Sequence, residues 1–442
     1  MQDFASQSKL ARVYQPEALA RETGEHALTF LANASGWCGV CRACGNSGLS
    51  PILSLGRTPL ANRLLSDEQL NDAEPTFPLE LVMCPKCSLV QITETVPPEQ
   101  LFSDYAYFSS FSDTMLAHAE ELAEKMMIER DLSDESLVIE IASNDGYLLQ
   151  NYHRVGIPVL GIEPAANVAK VAREKRGVPT LTNFFGRELA DRLASRLHRA
   201  DVLHAHNVLA HVADLNGVVA GIRTVLKDHG MAVVEVPYVK DLIDHVEFDT
   251  IYHEHLCYFS LTALDCLFSS NGLTIVDVER AAIHGGSLRV FAAREGQPSR
   301  RVEQLLAEEQ AWGVQRPEYY RQFGRRIEQL RHELISLLRQ LKGEGRRIAV
   351  YGASAKGSTL LNYFGIGPDV LDFVVDRSPV KQGRYTPGTH LKIFSPQKLI
   401  EDRPDYCLLL SWNFVDEILA QQSQYRQGGG KFIIPIPELR VA

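Results

Sequence analysis

The stretch Leu137–Tyr152, LVIEIASNDGYLLQNY, decides the fold. It begins with an apolar run, passes through a turn of small and polar residues, and continues with helical spacing of apolar side chains. The same order of strand, turn and helix recurs in VLGIEPAANVAKVAREKR, at 159–176, and in two further segments that begin at Ala200 and Gly230. Such repetition is typical of a parallel sheet with crossover helices. The sequence therefore predicts a doubly wound α/β domain.

Sequence patterns on either side of this stretch divide the chain of 442 residues. Residues 1–37 form an N-terminal extension with a possible helix at 16–31, and residues 38–114 are turn-rich with clustered cysteines. Residues 115–299 carry the α/β pattern. Residues 300–442 begin with an amphipathic helix, predicted over 300–342, and end with a second, smaller Rossmann-like series.

Charge and hydropathy disfavour several classes of partner. The chain has 45 Lys and Arg against 55 Asp and Glu, a net charge of −10, which disfavours a nucleic-acid or anionic-membrane surface. No run approaches the ~20 apolar residues of a spanning helix, and the first residues lack the apolar core of a signal peptide. We expect a cytoplasmic protein that binds neither nucleic acid nor membrane.

Five of the eight cysteines lie in two clusters. Cys41 and Cys44 form one CxxC pair and Cys84 and Cys87 form another, a spacing that lets four thiolates surround one tetrahedral zinc ion. Cys38 precedes the first pair and is predicted to be surplus. Four sulfur ligands leave no open position, so the zinc would be structural. Buried cysteines without metal and an iron–sulfur cluster are the alternatives.

The turn after the strand 138–141 has the composition of a cofactor loop. Glu140, Ala142, Asn144 and Gly146 match the acidic-x-(Gly/Ala)-x-Asn-x-Gly pattern of class I methyltransferases. Ala142 departs from the glycine that many of these enzymes have. The GxGxxG pattern of dinucleotide enzymes is absent. The pattern favours S-adenosylmethionine as cofactor.

Three downstream residues extend this interpretation. Glu163 ends the next strand, where a carboxylate can accept both hydroxyls of a ribose. Asn183 is placed to face an adenine, and Asn207 ends the fourth strand near a methyl donor. The alternative is an ordinary βα turn followed by an ordinary strand-end acid.

A cluster of titratable residues could supply acid–base chemistry. Tyr252, His253, Glu254 and His255 are consecutive, and His211 follows the fourth strand. A histidine with a pKa of ~6.5 suits a general base near neutral pH. Metal binding by the two histidines of HEH is one alternative, and a surface or core cluster without function is another.

The C-terminal segment contains a glycine-rich turn, GASAKGS at 352–358. Its backbone amides together with Lys356 could hold a diphosphate, and Asp376 at the end of the next strand could reach a ribose. The order of residues fits neither a Walker A loop nor an intact NAD fingerprint. A purely structural turn is the alternative.

Taken in order, these motifs resemble the zinc-containing, S-adenosylmethionine-dependent sugar C-methyltransferases. The resemblance covers the chain from about residue 41 to its end and is most specific in YHEHLCYFS. The segments that carry it are the two CxxC pairs, DYAYFSSFSDT (104–114), EIASNDGYLL (140–149), GIEPAANV (161–168), NVLAHV (207–212), YHEHLCYFS (252–260), HGGSLRV (284–290) and YGASAKGSTLLN (351–362).

The resemblance implies a class I, Rossmann-like methyltransferase domain between a small zinc-binding domain and a C-terminal Rossmann-like domain that helps to bind a nucleotide sugar. The expected reaction is methylation of a ring carbon, C-3, beside the ketone of a nucleoside-diphosphate-4-keto-6-deoxy sugar. The family implies His255 as the base, Tyr252 and Glu254 as orienting neighbours and His211 as a further contact, with Tyr105 and Tyr107 covering the sugar.

Two other functions stay open at this stage. The CxxC pairs beside a methyltransferase core are also compatible with an RNA methyltransferase, and the C-terminal turn with a non-methylating or NAD-using nucleotide-sugar protein. The sequence leaves open the nucleotide base, the sugar stereochemistry, the carbon methylated and the stereochemical outcome. We expect a monomer or a weak homo-oligomer.

Overall fold

The computed structural model describes residues 36–102, 108–196, 199–283 and 285–442. The expected helix at 16–31 and the residues Tyr105 and Tyr107 lie outside the described residues. Within the described residues, no helix is long and apolar enough to cross a membrane.

The N-terminal domain is built on an antiparallel four-stranded sheet. Its own strands are β2 (Ser50–Pro59), β3 (Thr76–Met83) and β4 (Val90–Ile92), and the order is β11-β4-β3-β2. The edge strand β11 (Cys257–Tyr258) comes from far along the chain and begins two residues after the YHEH block, residues 252–255. Smaller elements are the paired strands β1 (Gly36–Trp37) and β5 (Glu94–Thr95), helix α1 (Pro98–Phe102) and the 3-10 turns Glu68–Asn71 and Ser109–Phe111.

The central domain contains a seven-stranded sheet of order β12-β13-β10-β9-β6-β7-β8. The five strands from β6 to β10 run parallel, and β13 is antiparallel to both of its neighbours. The strands are β6 (Val138–Ile141), β7 (Val159–Ile162), β8 (Thr180–Leu181), β9 (Ala200–His206), β10 (Leu226–Pro237), β12 (Thr274–Ala281) and β13 (Ser287–Ala293).

Helices cover both faces of this sheet in the α/β pattern that the sequence predicts. They are α2 (Asp113–Glu129), α3 (Leu149–Arg154), α4 (Ala166–Arg176), α5 (Arg187–Arg196), α6 (Leu215–Val225), α7 (Val239–Asp244) and α8 (Leu261–Ser270), with 3-10 turns at Leu209–His211 and Phe248–Thr250. The strand order reverses between β6 and β9, and ligands of open α/β sheets bind beyond the carboxyl ends of the strands at such a point.

The predicted single helix over 300–342 is wrong, because two helices occupy this segment. Helix α9 (Arg300–Trp312) ends at Gly313, whose φ of 85° lies in the left-handed region, and α10 (Pro317–Gly343) begins with a proline. The buried stripe of α10 includes Leu338, while Leu337 is only half-buried.

The C-terminal domain is a six-stranded sheet of order β16-β15-β14-β17-β18-β19, parallel except for β19. Its strands are β14 (Ile348–Tyr351), β15 (Val374–Val375), β16 (Ile393–Phe394), β17 (Tyr406–Leu409), β18 (Lys431–Ile434) and β19 (Arg440–Val441). Its helices are α11 (Ala355–Phe364), α12 (Gln397–Asp402), α13 (Val415–Gln421) and α14 (Ser423–Gln427), with a 3-10 turn at Trp412–Phe414.

Candidate active site and zinc centre

Four cysteine sulfurs converge in the N-terminal domain. Cys41 Sγ lies 3.4 Å from Cys87 Sγ, and Cys44 Sγ lies 3.6 Å from Cys84 Sγ, with all four within 4.8 Å of one another. These separations suit a tetrahedral zinc ion with Zn–S bonds of ~2.3 Å. Cys38 lies outside this group, and its Sγ approaches the Val40 carbonyl oxygen instead. The donor set therefore fits a structural zinc.

Two tight turns shape this cluster. The Gly45 amide donates to the Cys41 carbonyl at 2.9 Å, and the Ser88 amide donates to the Cys84 carbonyl at 2.8 Å. Gly45 and Ser88 both have positive φ angles, 71° and 62°. Each turn thereby directs both cysteines of its pair toward the same point.

The zinc-binding turns are tied to the YHEH block. β11 pairs Cys257 with Gln91 on strand β4, which directly follows the second turn. The Ser88 hydroxyl lies 2.7 Å from the hydroxyl of Ser260, the N-cap of α8. His253 Nε2 lies 3.0 Å from the Pro78 carbonyl on β3. The zinc-binding domain therefore supports the backbone on both sides of His255.

The predicted cofactor loop forms at the carboxyl end of β6. Ala142, Asn144 and Gly146 all have positive φ angles, of 52°, 49° and 79°. Ala142 thus occupies a conformation that costs an alanine more than the glycine typical of this position. Glu163 holds the loop, since its carboxylate accepts from the Asn144 amide at 3.0 Å and from the Ala165 amide at 2.8 Å.

Three carboxyl groups are buried together at this edge. Burial, with the neighbouring Glu163 and Asp145, raises the pKa of Glu140 well above its usual value, and burial raises the pKa of Glu163 to about 7. Glu140 Oε2 and Asp145 Oδ1 are buried without a hydrogen-bond partner. A ligand that donates hydrogen bonds would satisfy these oxygens, and S-adenosylmethionine carries an ammonium group and hydroxyls that can donate.

The two asparagines predicted downstream lie at different places on this edge. Asn207 directly follows β9 with a φ of 55°, and its buried Oδ1 has no partner. Asn183 lies half-buried in the loop after β8. The unsatisfied amide oxygen of Asn207 beside the carboxyl end of β6 is a further feature that fits a bound cofactor.

Tyr252 and His255 form a hydrogen-bonded pair. His255 Nδ1 lies 2.8 Å from the Thr250 carbonyl, which can only accept, so Nδ1 carries the proton in the neutral ring. His255 Nε2 then accepts from the Tyr252 hydroxyl at 2.9 Å. The basic nitrogen of His255 therefore faces the Tyr252 phenol.

His211 packs against this pair. Its ring centroid lies 4.8 Å from that of His255, and its Nδ1 donates to the Glu254 carbonyl at 2.7 Å. Desolvation lowers the pKa of His211 to about 4. His211 is consequently neutral at physiological pH.

Side chains from three domains meet beside Tyr252. Ala61 of the N-terminal domain, Tyr252 of the central domain and Ala355 at the start of α11 form one apolar cluster. Asn62 Nδ2 lies 2.8 Å from both carboxylate oxygens of Glu254. The Thr359 hydroxyl donates to the Ile251 carbonyl at 3.3 Å. The YHEH block thus lies at the junction of all three domains.

Lys356, in the glycine-rich turn, points into the protein and not toward open solvent. Its Nζ is buried without a hydrogen-bond partner, 4.3 Å from the centroid of the Trp412 ring. Trp412 Nε1 donates to the buried carboxyl of Asp249 at 2.8 Å. Burial lowers the pKa of Lys356, and the nearby Asp249 and Glu247 oppose that shift. The loop amide of Ala353 is already bonded to Asp376 Oδ2 at 2.9 Å.

Comparison with known proteins agrees with this architecture. Residues 41–102 match a zinc binding domain, 116–278 a methyltransferase domain and 282–437 a C-methyltransferase C-terminal domain. The chain is 39% identical over 406 residues to the C-methyltransferase NovU of Streptomyces niveus, covering 91% of this chain and 96% of the relative. The chain belongs to the zinc-containing C-methyltransferase family.

Other likenesses are confined to part of the chain. The ubiquinone biosynthesis O-methyltransferase of Bartonella quintana is 23% identical over 155 residues, covering 32% of this chain and 61% of the relative. Magnesium protoporphyrin IX methyltransferase from Synechocystis PCC 6803 with bound SAM is 12% identical, with a TM-score of 0.31, covering 41% of this chain and 79% of that one.

Membership of this family confirms several predictions made from the sequence. The protein is an S-adenosylmethionine-dependent C-methyltransferase with a class I, Rossmann-like fold and a zinc-binding N-terminal domain. Its cofactors are S-adenosylmethionine and zinc.

Sequence reasoning missed Asn62, Thr250 and Trp412. Asn62 lies 192 positions from Glu254, and Trp412 lies 163 positions from Asp249. Thr250 contributes its backbone carbonyl, which every residue type has. Neither spacing nor composition could have found Asn62 and Trp412, because they act through contacts between domains.

Cys84→Ser should abolish zinc binding, whereas the matched variant Cys38→Ser should retain one zinc per chain. Removal of one of four thiolates opens the coordination shell, and Cys38 Sγ lies outside it. Metal analysis of the purified proteins measures the zinc content. We also expect Cys84→Ser to have a lower melting temperature, because the turn at Ser88 supports Ser260. Equal zinc loss in Cys38→Ser would place that residue among the ligands.

Glu163→Gln should weaken S-adenosylmethionine binding about tenfold or more, since an amide cannot accept from two backbone amides and a ribose at once. Isothermal titration calorimetry measures the dissociation constant, with Glu188→Gln on the exposed face of α5 as the control.

Because the pKa of Glu163 is raised to about 7, its carboxylate is lost as the pH falls through that value. The affinity of the unmodified protein should therefore fall below about pH 7, and Glu163→Gln should show a smaller dependence on pH.

Proposed function

We propose that the protein transfers a methyl group to C-3, beside the ketone, of a nucleoside-diphosphate-4-keto-6-deoxy sugar. The observation that carries the proposal is the Tyr252–His255 pair at the junction of three domains, with a hydrogen-bond distance of 2.9 Å. The motifs that resemble those of sugar C-methyltransferases support a nucleotide-linked keto sugar as the methyl acceptor. We propose the domain limits 38–114, 115–299 and 300–442 and a cytoplasmic location on the same grounds.

His255 would act as the general base. A hydrogen on a carbon beside a ketone becomes removable when the developing enolate is stabilised, and an imidazole is suited to accept that proton near neutral pH. The acceptor atom is Nε2, because Nδ1 donates to the Thr250 carbonyl. The proton from the sugar carbon can reach Nε2 in two ways. Either the Tyr252 hydroxyl moves away from Nε2, or the hydroxyl gives its own proton to Nε2 and takes up the proton from the sugar. Bound S-adenosylmethionine supplies an electrophilic methyl group for the resulting carbanion.

Polar neighbours would orient the sugar. Glu254 offers a carboxylate that can accept from a sugar hydroxyl, and Tyr252 offers a phenol. His211, neutral because its pKa is lowered to about 4, would contact the keto sugar without adding a positive charge. Tyr105 and Tyr107 would cover the sugar, a role that is proposed from the family resemblance alone.

On the cofactor side, we assign the binding of S-adenosylmethionine to the strand ends of the central sheet. Glu163 would accept the ribose hydroxyls, and Asn183 would face the adenine. Asn207 would lie near the methyl donor, where its unpartnered Oδ1 supports the role. The remaining contacts would come from the loop residues Glu140, Ala142, Asn144 and Gly146.

Lys356 would bind the acceptor from the C-terminal side. Its buried ammonium lacks a hydrogen-bond partner, and a phosphate or carbonyl oxygen would satisfy it. This location differs from a diphosphate held on open loop amides, since Ala353 N is bonded to Asp376. The partner proposed is a nucleotide-linked keto-deoxysugar and not a nucleic acid.

The proposal is tested by incubating the protein with S-adenosylmethionine and dTDP-, GDP- and CDP-linked 4-keto-6-deoxy sugars, followed by mass spectrometry. A gain of one methyl group on one nucleotide sugar would support it, and NMR of the product would identify the carbon. No gain on any sugar, with S-adenosylmethionine still bound, would contradict the acceptor class. Methyl transfer to RNA instead would favour the other acceptor.

His255→Asn should reduce methyl transfer at least a hundredfold, within the range typical of loss of a general base. The affinity for S-adenosylmethionine should be unchanged, because His255 lies outside the predicted cofactor loop. Product formation by mass spectrometry and binding by calorimetry measure the two effects separately. His153→Asn, on the end of α3, serves as the control. Retained turnover in His255→Asn would exclude it as the base.

A further inference from the structure

Asn62 reaches the YHEH block from the zinc-binding domain. It lies in the loop after β2, next to Ala61, which contacts Tyr252. Its Nδ2 is 2.8 Å from both Oε1 and Oε2 of Glu254. A single amide group therefore bridges the two oxygens of a carboxylate that is 192 positions away in the chain.

The surroundings of Glu254 make this contact important. The residue is 3% exposed, and Asn62 is the one side chain, among the residues that the structure describes, that donates a hydrogen bond to its carboxylate. The ammonium of Lys381 acts on it from the C-terminal domain without a direct bond. The ring of His211 is held by the backbone oxygen of the same residue.

We infer that Asn62 is a positioning residue that holds Glu254 as a carboxylate, in a fixed plane, beside the Tyr252–His255 pair. The inference deepens the proposed function and rests on it for the role of Glu254 toward the acceptor. It assigns the zinc-binding domain a direct part in the active site, in addition to supporting the backbone.

The physical reason is the direction of the hydrogen bonds. Both N–H···O contacts require acceptors, and protonation of Glu254 would replace one acceptor by an O–H donor facing the amide. Burial raises the pKa of Glu254 to about 7, while Asn62 and then Lys381 oppose that shift. Without Asn62 the pKa would rise further, and the acid form would predominate at neutral pH.

The test uses Asn62→Ala and the isosteric Asn62→Asp, with Arg63→Ala, an exposed neighbour in the same loop, as the control. Infrared difference spectra recorded across pH, with Glu254→Gln identifying the band, measure the pKa of Glu254. We expect Asn62→Ala to raise it by about one to two units. Asn62→Asp should raise it more, because two adjacent carboxyl groups share a proton.

The rate of methyl transfer gives a second readout. In Asn62→Ala, the pH at which the rate rises should increase by the same number of units as the pKa of Glu254 measured by infrared. The kcat at neutral pH should fall roughly tenfold. Raising the pH should restore much of the lost rate, because Glu254 then ionises. A misfolded variant would not recover in this way. Arg63→Ala should leave both readouts unchanged.

The outcomes separate this inference from the proposed function. An unchanged pKa of Glu254 in both Asn62 variants would overturn the inference, whatever the acceptor proves to be. A raised pKa with no shift of the rate profile would overturn the active-site role. If the unmodified protein methylates none of the nucleotide sugars, the proposed function fails, while the infrared titration still decides whether Asn62 controls the charge of Glu254.

Discussion

The pairing of β11 with β4 is the constraint on which the arrangement of the site depends. Cys257 and Tyr258 of the central domain complete the sheet of the zinc-binding domain through Gln91 and Val90. This edge strand begins two residues after His255, the proposed base, so the position of that side chain follows the position of the sheet of the zinc-binding domain. A zinc ion with no open coordination site would thereby act on the YHEH block through the backbone.

The C-terminal domain constrains the other side of the same block. Trp412 donates a hydrogen bond to the Asp249 carboxyl, and Thr359 donates one to the Ile251 carbonyl. These two bonds hold the residues on either side of Thr250. The carbonyl of Thr250 in turn sets which nitrogen of His255 carries the proton. Each outer domain therefore contacts one side of the YHEH block, and Ala61, Tyr252 and Ala355 form an apolar contact where the three domains meet.

Electrostatics distinguish the two halves of the site. The cofactor edge gathers buried acids with raised pKa values, and its unsatisfied oxygens suit a cation. The side facing the C-terminal domain places a buried ammonium, that of Lys356, near Asp249 and Glu247. The two ligands that we propose, a positively charged methyl donor and a negatively charged nucleotide sugar, would suit these two surroundings.

The sequence by itself determined the local features. The alternation around 137–152 predicted the parallel sheet, the CxxC spacing predicted the four sulfur ligands, and the strand at 138–141 was correct to the residue. These features depend on neighbours in the chain, where periodicity and spacing are informative. The break at Gly313 was missed because the whole segment was interpreted as one helix, although Gly313 and Pro317 are residues typical of a helix end and a helix start.

Only the tertiary structure decided which distant groups meet. It brought Asn62 to Glu254, turned Lys356 inward against Trp412 and inserted β11 into the sheet of another domain. No local pattern encodes such contacts, because they arise from packing between residues that are far apart in the chain. The charge of Glu254 and the orientation of His255 depend on that packing, and so these properties could not be derived from the chain alone.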